Sequence, residues 1–178
     1  MRQIVGSIEG EYRRYKMLGE QAIGQLTEPQ LSETPGSVGN SVATLVWHIS
    51  GNLASRFTGF LHSDGEKPWR DRDAEFVARS VSREQLLEKW ESGWTILLES
   101  LAALDDEALH AVVTIRGVPL SVHDALHRSL AHTSYHVGQV VFLAKAIRGG
   151  EWRYLTIPPG GSAAYNAKPF AEKPPGSR

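Results

Sequence analysis

Cysteine is absent from this chain of 178 residues. That excludes disulfides, thiolate metal ligands and a cysteine nucleophile at once, and it fits a reducing compartment. A charge excess of either sign is missing too. Nineteen Lys and Arg face twenty Asp and Glu, for a net charge of −1, which leaves no electrostatic footprint for nucleic acid or an anionic membrane. Long apolar runs are lacking: the stretch Val137 to Ile147 is broken by Lys145 and is too short to span a bilayer. The opening Met1-Arg2-Gln3-Ile4-Val5 runs into Glu9, Glu11, Arg13 and Arg14 without an apolar signal core. No glycine-rich phosphate loop, G-x-S-x-G elbow or H-E-x-x-H motif occurs. These absences lead to the expectation of a soluble, cytoplasmic protein that binds neither nucleic acid nor membrane.

What is present suffices for one good core. A hydrophobic content of 41% over this length reads as a single domain. Four long helices are expected. The first runs from about Arg2 to Leu26, with Ile4, Ile8, Tyr12, Tyr15, Leu18, Ala22 and Leu26 at steps of three and four. A loop marked by Pro29, Pro35, Gly36 and Gly39 follows. The second helix starts at an Asn40 or Ser41 cap and carries an apolar face through Val42 to Leu61. The third follows a Ser82/Gln85 capping box and holds Trp90 and Trp94, which read as core. The fourth begins at the Ser121/Asp124 pattern and stops at Gly149-Gly150. Between the last two, His110 to Leu120 reads as a short hairpin or an extended crossover. The fold class is therefore all-α, an antiparallel four-helix bundle over residues 1–150, with a tail over 151–178. Trp152, Tyr154, Leu155 and Ile157 give the tail apolar surface for docking, Gly160-Gly161-Ser162 reads as a turn, and residues 173–178 are expected to fray.

The chemistry-bearing pattern is His132-Thr-Ser-Tyr-His136. Four residues make just over one helical turn, so both imidazoles leave the same face of the fourth helix and can grip one metal ion. At about 100° per residue, His136 falls within the stripe formed by Val122, Leu126, Ser129, Val140 and Ala144, with His132 on its edge and Gln139 beside them. His123 and His127 share the spacing but fall on the far side, where solvated surface is the plain reading. His48, on the second helix, is the candidate third ligand. Three nitrogens from two helices would leave a coordination position open, as catalytic sites do.

Asn52 and Arg56 form a polar strip between His48 and the apolar face of the second helix. A buried arginine needs an acid, and the segment Asp64 to Phe76 offers several. Two readings stay open for this strip. It is an ion-pair network holding that loop to the bundle, or a pocket wall that binds an anionic substrate or a thiol.

The stretch Trp47-His48-Ile-Ser-Gly-Asn52-Leu-Ala-Ser-Arg56-Phe-Thr-Gly-Phe60, continuing through Asp64 to Phe76, resembles a bacterial family within the DinB/YfiT-like superfamily. His132 to Gln139, followed by Gly149-Gly-Glu-Trp152 and Ile157-Pro, resembles the same family's C-terminal half. The resemblance implies a four-helix bundle of metal-dependent enzymes, often dimeric, with zinc or nickel on three histidines that map to His48, His132 and His136. Relatives implied by it include thiol-dependent S-transferases and mycothiol-dependent isomerases. Asn52, Arg56 and Gln139 are then expected to support the metal or contact a small-molecule substrate. With no cysteine in the chain, a low-molecular-weight thiol would come as cosubstrate. The catalytic base is unassigned, and the acids of the Asp64–Glu75 segment are candidates. Metal-dependent hydrolysis, and a non-catalytic bundle stapled by its metal or serving as a sensor-like binding module, are the alternatives. Trp47 lies about 260° round from His48, off the apolar face, so the tail or a second subunit of a homodimer is expected to cover it.

Overall fold

The structure is a computed structural model and describes residues 1–34, 36, 39–170 and 172–173. Among these it is mostly helical, with six α-helices and one small two-stranded sheet. The helices are α1 (Gln3–Gly24), α2 (Glu28–Leu31), α3 (Val42–Phe57), α4 (Arg83–Ala102), α5 (Val122–Arg148) and α6 (Ser162–Ala167). The strands are β1 (Val112–Ile115) and β2 (Val118–Ser121). Among the described residues no helix is long and apolar enough to cross a membrane.

Helix starts follow the capping chemistry of the sequence. Ser41 Oγ accepts from the Thr44 amide, Ser82 forms a reciprocal box with Gln85, and Ser121 Oγ accepts from the Asp124 amide. Helix α1 has no cap of its own. Instead the Asp106 carboxylate takes the Gln3, Ile4 and Val5 amides at 2.7, 3.0 and 3.0 Å, which satisfies three orphan donors from across the fold. At the other end of α1, the Arg83 guanidinium donates to the carbonyls of Ile23 and Leu26.

Three boundaries differ from the sequence reading. Pro29 is not in a loop but inside the single turn of α2, because the first helical turn needs no amide donor from it. The α3 helix stops at Phe57 rather than Leu61, since Thr58 is extended and Gly59 takes a positive φ of 59°. The turn expected at Gly160-Gly161-Ser162 is there, closed by the Gly161 amide donating to the Pro158 carbonyl at 2.9 Å, but Ser162 then opens α6 directly after it. Pro35 of the expected loop lies outside the described residues, as does the fraying expected after Lys173.

Helix α3 packs mainly on α4, and α1 on α5, with α3 and α5 in contact between the pairs. Tyr12, Phe57, Trp90 and Trp94 are fully buried in the shared core, and the ring of Tyr12 meets both Phe57 and Trp94 edge-on. Gly93 sets the closest approach of α4 to α3. A Cβ there would lie 2.6 Å from Ser50 Cα and 2.9 Å from Ser50 O.

Residues 112–121 resolve as the hairpin rather than the crossover. The strands are antiparallel, with Ile115 opposite Val118, and Arg116 and Gly117 turn the chain with φ of 57° and 74°. Asp64 clamps this turn: its Oδ1 accepts from the Arg116 amide and its Oδ2 from the Gly117 amide, both at 2.8 Å. In the tail, Trp152 and Leu155 are half-buried against the core. Gln25 exchanges two hydrogen bonds with the backbone of Arg153. Trp47 is half-buried, packed in part against the core, and the Arg79 guanidinium lies over its ring, 4.6 Å from the centroid. The expectation had overlooked this intrachain cover.

Candidate metal centre

Helices α3 and α5 cross where His48, His132 and His136 face one another. One ligating atom from each lies within 4.8 Å of the others. The ring centroids are 5.2 Å apart for His48–His132, 4.6 Å for His48–His136 and 4.5 Å for His132–His136. His48 is buried at 3% exposure, and the two α5 histidines are half-buried. His123 and His127 meet edge-to-face, 4.2 Å between centroids, on the exposed side of α5 and outside this group.

Each end of the triad is oriented from behind. His48 Nδ1 lies 2.8 Å from Glu75 Oε2, and His136 Nδ1 lies 2.8 Å from Gln139 Oε1. An N–H on each Nδ1 donates to these oxygens and leaves the Nε2 lone pair free for a cation. Glu75 is itself held by Arg70, whose Nε donates to Oε1 at 2.8 Å and whose Nη2 donates to Oε2 at 2.9 Å. Burial pushes the Glu75 carboxyl up, but the hydrogen bonds from His48 and Arg70 and the Arg70 charge outweigh it, so the group sits below the ordinary glutamate range. Phe76 closes over His48 with 4.6 Å between centroids.

The donor set fits a divalent metal. His48 Nε2 and His132 Nε2 are 3.2 Å apart, and two nitrogens on a tetrahedral zinc would be roughly 3.3 Å apart. In the neutral pair one of these nitrogens carries a proton and donates it to the other, and that hydrogen bond is what a cation bound by both would replace. Protonation is disfavoured at His132, where burial, then the neighbouring charges of His136 and His48, push the imidazole down to about 3. Burial likewise lowers His136. Neutral imidazoles are the form that binds metal.

Two of the three histidines open onto a cleft of about 700 Å³ lined by residues of α3, α5, the 64–76 segment and the hairpin. His48 and His132 line it, with Asn52, Ser129 and Tyr135. A larger hollow of about 950 Å³, between α1 and α4, is lined by Glu20, Glu28, Glu84, Glu88 and Glu91 and contains no histidine.

The ion-pair reading of Arg56 is what the structure shows. Its Nη1 donates to the Gly65 carbonyl and to Glu66 Oε2, the latter at 3.2 Å, and Glu66 Oε2 also accepts from Arg116 Nε at 3.0 Å. The same guanidinium lines the cleft. The acids of the 64–75 segment that reach the site are committed. Asp64 binds backbone amides, Glu66 binds two arginines, and Glu75 binds His48 and Arg70. The role of Glu75 was missed in the sequence, since it stands 27 residues from His48 with no periodic link to it. The one local signal is Gly51, a turn beyond His48 on α3, where a Cβ would fall 2.1 Å from Glu75 Oε1.

No match was found among curated proteins. Among solved structures, the chain is similar to a crystal structure described as the conserved protein of locus from Enterococcus faecalis. The two are 20% identical with a TM-score of 0.66, and the match covers 84% of this chain and 99% of that one. At that identity the likeness concerns the fold. Residues 2–161 match the family model described as "Protein of unknown function (DUF1572)". That span takes in α1 to α5, the hairpin and all three histidines, and the chain belongs to the DUF1572 family.

Proposed function

We propose that this protein is a metal-dependent enzyme on a four-helix bundle of the DinB/YfiT-like kind, with a thiol-dependent S-transferase type of activity. One observation carries the reading. Three imidazoles converge, two of them, His48 and His132, line an open cleft, and His48 and His136 are fixed from behind by Glu75 and Gln139. His48, His132 and His136 would hold one zinc or nickel ion. A divalent ion so held lowers the pKa of a thiol or water molecule and supplies it as a nucleophile at neutral pH. The chain has no cysteine, so the thiol is a small cosubstrate that enters by the cleft, where Asn52 and Arg56 meet the substrate. Glu75, with both oxygens engaged by His48 and Arg70, orients His48 and is not the base.

A metal-dependent hydrolase uses the same site with water in place of thiol. A metal that merely staples α3 to α5 does not need the cleft. The reading includes a cytoplasmic homodimer, supported by the family resemblance; sedimentation equilibrium checks it against the 19.6 kDa monomer mass.

The deciding experiment is to measure metal content after purification without added metal, then to load cobalt and titrate a small thiol. A thiolate-to-cobalt charge-transfer band, with transfer of that thiol to an electrophile, is the expected result. Water exchange without a thiol band selects the hydrolase. A coordination sphere closed by a fourth side chain sinks the enzyme reading.

A further inference from the structure

Arginine is concentrated in the cleft beyond what the histidine site requires. Arg56 from α3, Arg70 and Arg72 from the connecting segment, Arg116 from the hairpin turn and Arg128 from α5 all line it, and no carboxylate does. These five come from four separate parts of the chain, so helix periodicity alone does not account for the cluster.

Their pairing is incomplete. Arg70 spends its bonds on Glu75, and Arg56 shares Glu66 with Arg116. Among the described residues the carboxylate partner of Arg72 is Asp73, which is 99% exposed and 3.9 Å away, and its guanidinium lies over the Phe76 ring, 5.0 Å from the centroid. Arg128 has no carboxylate partner among the described residues. Positive charge is therefore left over on walls that converge, whereas the chain as a whole is balanced at −1. A surplus of this kind normally faces solvent on a convex surface, where it is screened; inside a concave wall it focuses the field. The turn carrying Arg116 is also fixed, because Asp64 holds its two backbone amides. The backbone under Arg116 is thus held, and Glu66 Oε2 accepts from its Nε at 3.0 Å.

We propose that the cleft binds a small dianion, a dicarboxylate or a phosphomonoester, with its oxyanion held by Arg128, Arg116 and Arg72 while its other end faces the histidines. Guanidinium forks match the planar pairs of oxygens on carboxylate and phosphoryl groups. The inference rests on the metal-site reading only for which end of the ligand reacts; the arginine end stands on its own charge and geometry.

The test is calorimetric titration of the full chain, as purified and after metal removal, with succinate, with inorganic phosphate and with the neutral 1,4-butanediol. At least one dianion is expected to bind, with affinity falling steeply as salt rises. Arg128→Ala and Arg116→Ala should each weaken it by about tenfold, while Arg13→Ala, on the outer face of α1, should leave it unchanged. Binding of phosphate alone assigns the phosphoryl class, and of succinate alone the dicarboxylate class. The proposal is overturned if neither dianion binds, if the diol binds as well, or if the Arg128 and Arg116 variants bind like the parent. Metal content measured on the same samples keeps the two readings apart. Dianion binding by protein that never acquires metal supports the arginine site and removes the metal.

Discussion

Gly51 and Glu75 occupy one another's space: a Cβ on Gly51 would sit 2.1 Å from Glu75 Oε1 and 2.7 Å from its Cδ. The missing side chain on α3 is what lets a carboxylate from the connecting segment lie against the helix and reach His48 Nδ1 one turn back.

Gly51→Ala therefore separates stability from ligand geometry. Alanine in a helix favours the fold by up to about 1 kcal/mol over glycine, and Glu75 is the end of a movable side chain, so the protein should fold. The displaced carboxylate no longer orients His48, and metal affinity should fall about 10–100-fold, as for other lost outer partners of histidine ligands. Competition with a chelating dye reads this directly. Unchanged affinity would show that Glu75 does not set the His48 ring.

Removing an imidazole should act in a position-specific way. His136→Ala is expected to abolish stoichiometric binding of zinc or nickel, and His127→Ala, on the exposed side of the same helix, to leave it intact. Equal stoichiometry in both variants would remove His136 from the site.

Gly93→Ala is expected to cost stability, because the added methyl meets the backbone of Ser50 rather than a flexible tip. Overpacking of this kind costs about 1–3 kcal/mol. Urea unfolding should show a lower midpoint with an unchanged slope. Since Ser50 is two residues from His48, metal affinity should fall as well. An unchanged midpoint would mean that α3 and α4 can separate without loss.

Acid should destabilise the metal-free protein, with a sign set by the histidines. His132 is held down to about 3 in the folded state, so between that value and the ordinary histidine range the unfolded chain binds the extra proton. Stability then rises with pH across this window and levels off above about 6.5. His136 and Glu75, both lowered, act in the same direction. Urea midpoints from pH 7.5 down to 4.5 should fall, and His132→Leu should flatten the upper part of the fall. A midpoint that rises towards acid would contradict the neutral, buried imidazole.

Local chemistry made much of this fold legible in advance. Ser41, Ser82 and Ser121 mark helix starts because a hydroxyl before an amphipathic run has one clear use. The shared face of His132 and His136 follows from helix geometry alone. The short α2 was hidden because Pro29 reads as a breaker unless its place in the first turn is known. Glu75 and the arginine-lined wall were hidden for a different reason. Their neighbours are set by how the 64–76 segment and the hairpin fold over α3 and α5, and no period in the sequence records that. Trp47 shows the same limit, since the helical wheel places it off the core but says nothing of Arg79.

The 84 residues that separate His48 from His132 have a consequence for how the chain holds together. Helix α4 and the hairpin both lie between them, so any ion shared by the two rings acts as a removable crosslink that closes a long loop. Its contribution grows with free ion concentration, by about 2.7 kcal/mol at a hundredfold excess over Kd. The melting temperature of such a protein reports the metal supply around it.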